Sequence, residues 1–232
     1  MGVVENVARL SRVTLGQQVY QDLRELLAAG QAAPGDKFTL RGLAEAIGTS
    51  PMPVREAVSR LVAENALEVL PNRAIRVPIM TRKRFAELKI IRIEIEGLAA
   101  ETAAGRIRPG EIEEAVANHE VFTAESRKSE PDGAVALKAN KDLHFVVYRA
   151  ARMPQLLQII ENLWLQVGPV INLDLRASGR RLHAVEAHKH HARLIEALRK
   201  GDGAAARQAL ADDIRTAAEF ILNTGRLPAD RD

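Results

Sequence analysis

His144, His191 and Asp213 stand out in this chain because each falls on the apolar face of a predicted helix. Leu137, Asn140, His144, Val147 and Ala151 follow a three-four spacing, so Asn140 and His144 lie one turn apart on one inward face. His191 stands three and four residues before Leu194 and Ile195, and Asp213 follows Leu210 by three and precedes Ala217 by four. A buried carboxylate is costly unless it is paired or meets a cation. Asn140, His144, His191 and Asp213 therefore read as a nitrogen and oxygen ligand set, drawn from three helices, for a divalent metal ion such as Zn or Ni. His188, one turn from His191, is a substitute ligand if the register slips, while His183 and His190 are expected to face solvent; the alternative is that Ala187-His188-Lys189-His190-His191 is only a polar helix face.

Arg92 is a second chemically capable residue, set beside Leu88 and Ile95 on a largely apolar helix. Its guanidinium can hold a carboxylate by two points at once. An intrahelical pair with Glu96 is the competing reading.

The elements that must carry these residues divide in two. From Leu15 to Pro78 the pattern is helix, helix, helix, hairpin: Leu15, Val19, Leu23, Leu26 and Leu27 recur at helical spacing, Gly30 stops the run, and Pro34-Gly35-Asp36 makes a turn. Thr39 caps a short helix that Gly48 ends, and Ser50-Pro51 starts a third, with Val54, Ala57, Val58, Leu61 and Val62 on one face. Leu67–Leu70 and Ile75–Pro78 alternate around Pro71-Asn72-Arg73 as a small β-hairpin. From residue 81 onward only helical periodicity remains, with helices predicted at 82–105, 110–127, 133–151, 154–174, 181–200 and 203–223, and with Gly168-Pro169 expected to break or kink the fourth. The fold class is thus mainly α: a winged helix-turn-helix with a small β-hairpin over 1–80 and an all-α helical bundle over 81–232.

Composition narrows the function classes. The 232 residues contain no cysteine, which excludes a disulfide framework, a zinc ribbon, an iron–sulfur cluster and a thiol nucleophile. No apolar run approaches the roughly 18 residues of a membrane span, and Glu5, Asn6 and Arg9 interrupt any signal-peptide core, so a cytoplasmic location is expected. Residues 1–84 carry a net charge of +4 and residues 85–232 a net of −1, which places the anionic partner at the N-terminal part.

The stretch Leu40-Arg41-Gly42-Leu43-Ala44-Glu45-Ala46-Ile47-Gly48-Thr49-Ser50-Pro51-Met52-Pro53-Val54-Arg55-Glu56-Ala57-Val58-Ser59-Arg60-Leu61 resembles the core of the GntR superfamily of bacterial transcription regulators. The helical half resembles that of the FadR-type branch, whose effector domain is of the FCD kind. By that resemblance Arg41, Ser50 and Arg55 contact DNA at phosphate or base, and the Asn72-Arg73 tip is the wing that meets a minor groove. Otherwise Arg41 is a solvated charge, and Arg55 pairs with Glu56 or Glu45. Pro51-Met52 stands where relatives have Arg-Thr or a similar polar pair, and Asn65 and Asn72, or a neighbour, where relatives have glycine. The same resemblance makes Asn140, His144, His191 and Asp213 the metal set, with Asn in place of Asp at the first position and Asp in place of His at the last, and turns Arg92 toward an effector cavity. It implies a ligand-responsive regulator, not an enzyme, that binds a double-stranded DNA operator as a homodimer and senses a small carboxylate effector. A metal sensor and a metal-dependent hydrolase are the alternatives; no separate general base or motif for one supports the latter.

Overall fold

The structure, a computed structural model, describes residues 14–178 and 187–230, with side chains from 172 to 178 outside the description. His183 lies outside the described residues. Helix α1 (Leu15–Ala28) opens on Thr14, whose side chain accepts from the Gln17 amide, and it buries Val19, Tyr20, Leu23 and Leu27. Strand β1 (Lys37–Phe38) leads into α2 (Leu40–Ile47) and α3 (Pro51–Ala63). Gly48 ends α2 in the left-handed region, at φ 74°, and its lack of a Cβ makes that turn inexpensive. Thr39 Oγ1 accepts from the Gly42 amide at 3.0 Å. Thr39→Ala should therefore cost about 1 kcal/mol, read as a lower urea midpoint with an unchanged slope.

Strands β2 (Glu68–Val69) and β3 (Ile75–Arg76) form the expected hairpin. The sheet has a third strand that alternation did not reveal: β1 pairs antiparallel with β3, Lys37 opposite Arg76 and Phe38 opposite Ile75. Two residues are too short to show a period of two; long-range hydrogen bonds fix the pairing, from Gly35 N to Val77 O and from Val77 N to Asp36 O, each 2.9 Å. At the wing tip, Asn72 Oδ1 accepts from Ala74 N, and it is Arg73, at φ 63°, that takes the left-handed conformation. Asn65 does so at φ 57° before the wing, a conformation asparagine adopts more readily than most non-glycine residues.

The second part comprises α4 (Arg82–Ala104), α5 (Pro109–Ser126), α6 (Gly133–Ala150), α7 (Pro154–Ser178), α8 (Ala187–Lys200) and α9 (Gly203–Asn223). Helix α9 packs along α4 and α8, α5 along α6 and α8, and α7 against α4 and α6. The expected break at Gly168-Pro169 does not occur, for α7 runs on through Pro169 to Ser178. Burial on both sides of the proline sustains it: Leu163, Val167, Val170 and Ile171 pack in the bundle, while Leu165 sits in the core built by Val19, Leu23, Leu61 and Ile75. The same helix thus belongs to both cores. Gly168 lies hard against the end of α1, where a Cβ would come 2.5 Å from Leu27 O and 2.9 Å from Ala28 O. Arg24 and Glu161 close the contact with a 3.1 Å ion pair.

Candidate metal centre and nucleic-acid interface

Helices α6, α8 and α9 bring His144, His191 and Asp213 together, all buried, with one ligand atom from each lying within 4.8 Å of the others. Their periodicity does this directly, since each sits among apolar neighbours that must face the bundle interior. Asp213 Oδ2 is 3.2 Å from His144 Nε2, and Oδ1 is 3.7 Å from His191 Nε2. Asn140 stands one turn before His144, half-buried, with no hydrogen bond among the described residues.

Burial pushes the His191 imidazole down to about 3, against the attraction of Asp213, so the ring is neutral at physiological pH. Burial alone would raise the Asp213 carboxyl, but His191 and His144 beside it hold it below the usual carboxylate range. Neither Nε2 atom has a hydrogen-bond partner, and His191 Nδ1 has none either. Buried polar atoms are ordinarily satisfied. Two imidazole nitrogens and a carboxylate converging without hydrogen bonds form a donor set that fits a divalent cation.

Behind His144 runs a buried polar chain that the sequence did not reveal. His144 Nδ1 is 3.0 Å from Tyr148 Oη, which donates to Glu96 Oε2; Glu96 in turn accepts Arg92 Nε at 2.5 Å and Nη2 at 3.1 Å. Glu96 is wholly enclosed. Burial, joined by the Glu96 charge, raises the Tyr148 phenol well above its ordinary value, so it stays a proton donor. For Arg92, burial opposes the charge, yet Glu96 outweighs it and raises the value. The competing Arg92–Glu96 pair is therefore formed, but in the interior and not at a surface. Nη1 of Arg92 makes no hydrogen bond among the described residues, and the guanidinium lies 5.1 Å from the Trp164 ring.

Of the other described histidines, His190 differs from expectation, and His119 carried none. His190 is half-buried, with Nε2 3.3 Å from Thr216 Oγ1, because α9 covers that side of α8. His119, on α5, places its ring centroid 5.9 Å from that of His191 and leaves a buried Nδ1 unpartnered. The spacing of Ala115, His119 and Phe122 marked that inward face.

At the other end, Arg41, Ser50, Arg55, Asn72 and Arg73 are all exposed. Ser50 occupies the N-cap of α3 without using its side chain there, so its hydroxyl is free for another acceptor or donor. Neither Arg41, Arg55 nor Arg73 forms an ion pair among the described residues, so the expected rival pairing of Arg55 with Glu56 or Glu45 is absent. Arg60, Arg76 and Arg24 behave differently: Arg60 stacks 3.6 Å over the Tyr20 ring, Arg76 pairs with Glu68, and Arg24 with Glu161. Among the described residues of the winged unit, the arginines at the mouth of α2, the start of α3 and the wing tip are without an ion pair.

A three-helix unit with a wing, joined to an all-helical bundle with a buried polar centre, is the architecture of a two-part DNA-binding regulator. The bacterial regulatory proteins of the gntR family match residues 15–77, and the FCD domain matches residues 87–216. The chain is 30% identical over 207 residues to the HTH-type transcriptional regulator McbR of Escherichia coli (strain K12), covering 88% of this chain and 91% of that one. It is 29% identical over 202 residues to a probable D-xylose utilization operon transcriptional repressor of Paenarthrobacter nicotinovorans, covering 87% and 86%. The solved structure of E. coli McbR/YncC superposes with a TM-score of 0.84 at 30% identity, over 92% of this chain and 99% of that one. A GntR regulator from Rhodococcus sp. RHA1, at 20% identity and a TM-score of 0.70 over 91% and 99% of the chains, shares the fold. This chain belongs to the GntR family of transcription regulators and carries the FCD domain. It is a DNA-binding regulator, not an enzyme. Among the described residues no helix is long and apolar enough to cross a membrane.

Proposed function

We propose that the protein is a ligand-responsive regulator in which residues 1–80 bind a DNA operator and residues 81–232 sense a small organic acid through a divalent cation. The observation that carries the sensing half is the convergence of His144 Nε2, His191 Nε2 and the Asp213 carboxylate in the interior, where neither nitrogen has a hydrogen bond and both face Asp213. His144, His191 and Asp213 would hold the ion, with Asn140 as a fourth donor. A bound cation of this kind supplies a positive centre for a carboxylate oxygen, and Arg92 adds Nη1 as a directed donor for the same anion.

Three helices report on that centre, and α7 is placed to pass the report on. Trp164 touches both Arg92 and His144, while Glu161, Leu165 and Gly168 on the same helix grip α1. An effector favouring one arrangement of α7 would shift the winged unit by its difference in affinity for the two arrangements. A homodimer supplies two wings for two half-sites, and the exposed Ile90, Ile91 and Leu98 of α4 offer it an apolar seam. Such a regulator works in the cytoplasm, where bacterial DNA lies.

On the DNA side, Arg55→Ala should weaken operator binding at least tenfold without loss of fold, consistent with ~1–3 kcal/mol for a charge-assisted contact at the start of a recognition helix. An equal gel-shift titration for variant and parent would remove Arg55 from the interface. On the sensing side, thermal-shift screening of small mono- and dicarboxylates against metal-loaded and chelator-stripped protein tests the reading. A shift only in the loaded form is expected; equal shifts in both would place the acid elsewhere.

A further inference from the structure

We propose that Tyr148 is the positioning residue of the cation site: held by Glu96 and Arg92, it fixes His144 in the tautomer that turns the Nε2 lone pair toward the ion. The inference rests on the cation reading above and follows from counting protons along the buried chain.

A guanidinium only donates. Nε and Nη2 of Arg92 fork onto both Glu96 oxygens, so Glu96 meets them as a carboxylate, which only accepts. Contact between Glu96 Oε2 and Tyr148 Oη therefore uses the one phenolic proton of Tyr148. With that proton spent, the oxygen can face His144 Nδ1, 3.0 Å away, only as an acceptor. Nδ1 of His144 therefore carries a proton, and Nε2, 3.2 Å from Asp213 Oδ2, is the nitrogen left to offer its lone pair to an ion.

The chain is also stiff. Arg92 and Glu96 sit one turn apart on α4, and His144 and Tyr148 one turn apart on α6; Glu96 is 0% and Tyr148 1% exposed, so water does not compete for these bonds. Metal-ligating histidines generally send their second nitrogen to a carboxylate or carbonyl, which sets tautomer and ring orientation. Here a tyrosine lengthens that arrangement by one link, reaching a carboxylate on a neighbouring helix. Arg92 thereby props the site with two nitrogens while a third remains for the effector.

The test is Zn2+ affinity of the full chain, measured by competition with a chromophoric chelator, together with 15N NMR of His144 in metal-free protein. Tyr148→Phe keeps the ring and its edge-on packing against Phe145, with centroids 5.5 Å apart, and removes only the oxygen. Zn2+ should bind this variant about 10–100-fold more weakly than the parent, still at one ion per chain. In the metal-free parent His144 should be the Nδ1–H tautomer, and that preference should be lost in Tyr148→Phe. Glu96→Gln is the second variant, should the first fail to fold: its amide can donate to Tyr148, free the phenolic proton for Nδ1, and so reverse the tautomer and weaken Zn2+. A parent that takes up no Zn2+ overturns the cation reading and with it the role of Tyr148. If the parent binds Zn2+ but the variants match it within threefold, or His144 of the metal-free parent carries its proton on Nε2, the role of Tyr148 alone is overturned.

Discussion

Zn2+ at about a hundredfold excess over its dissociation constant should stabilise the parent by ~2.7 kcal/mol, raising its melting temperature by roughly 5–11 °C for a chain of this size. His144→Ala and His191→Ala should each show no rise at all. Both nitrogens belong to side chains that are almost fully enclosed, at 1% and 0% exposure, so no solvent-facing group can take their place. Truncating either leaves the Asp213 carboxylate with one imidazole and the neutral Asn140 amide, too weak a set to strip an ion of its water. Differential scanning fluorimetry with and without chelator reads the difference directly. A parent that melts at the same temperature in both conditions, with no metal found by elemental analysis, would make the cluster a packed polar group.

Gly168→Ala should destabilise the protein despite its better helix propensity. Alanine gains ~1 kcal/mol over glycine in a helix interior, but here its Cβ would meet two backbone carbonyls, Leu27 O at 2.5 Å and Ala28 O at 2.9 Å. Neither carbonyl can yield like a flexible side chain, so α1 must move from α7. Overpacking of this kind costs ~1–3 kcal/mol, and the closeness of both contacts places it at the upper end. Urea denaturation should show a lower midpoint, and Gly168→Val a further fall. An alanine variant as stable as the parent would mean that α1 and α7 do not dock as closely as described.

Much of this was legible from residue spacing, because apolar periodicity dictates which face of a helix is buried. The spacing of Leu137, Val147, Ala151, Leu194, Ile195, Leu210 and Ala217 puts His144, His191 and Asp213 in the interior, and the structure joins them. Helix α9 has the boundaries its Gly203 start and periodic run imply. What escaped were features set by contact between distant segments. Strand β1 exists only because Val77 lies beside Asp36, and α7 survives Pro169 because two cores hold it. Glu96 looked like a partner for Arg92 on a helix surface; only the crossing of α4 and α6 shows that it also takes the Tyr148 hydroxyl. Tyr148 itself carried a readable signal, standing four residues after His144 on the inward face as Asn140 stands four before.

The most direct test of the regulator's proposed logic is operator affinity, measured by fluorescence anisotropy on a duplex selected from a random library. It would be taken with metal-loaded and with chelator-stripped protein, each titrated with the small carboxylates. A coupling of ~1–3 kcal/mol between the two sites corresponds to a 5–150-fold change in operator affinity. Such a change is predicted with at least one acid for the metal-loaded protein and with none for the stripped protein. An operator affinity that responds to metal but to no acid, or to an acid equally with and without metal, would contradict sensing of an acid through the cation.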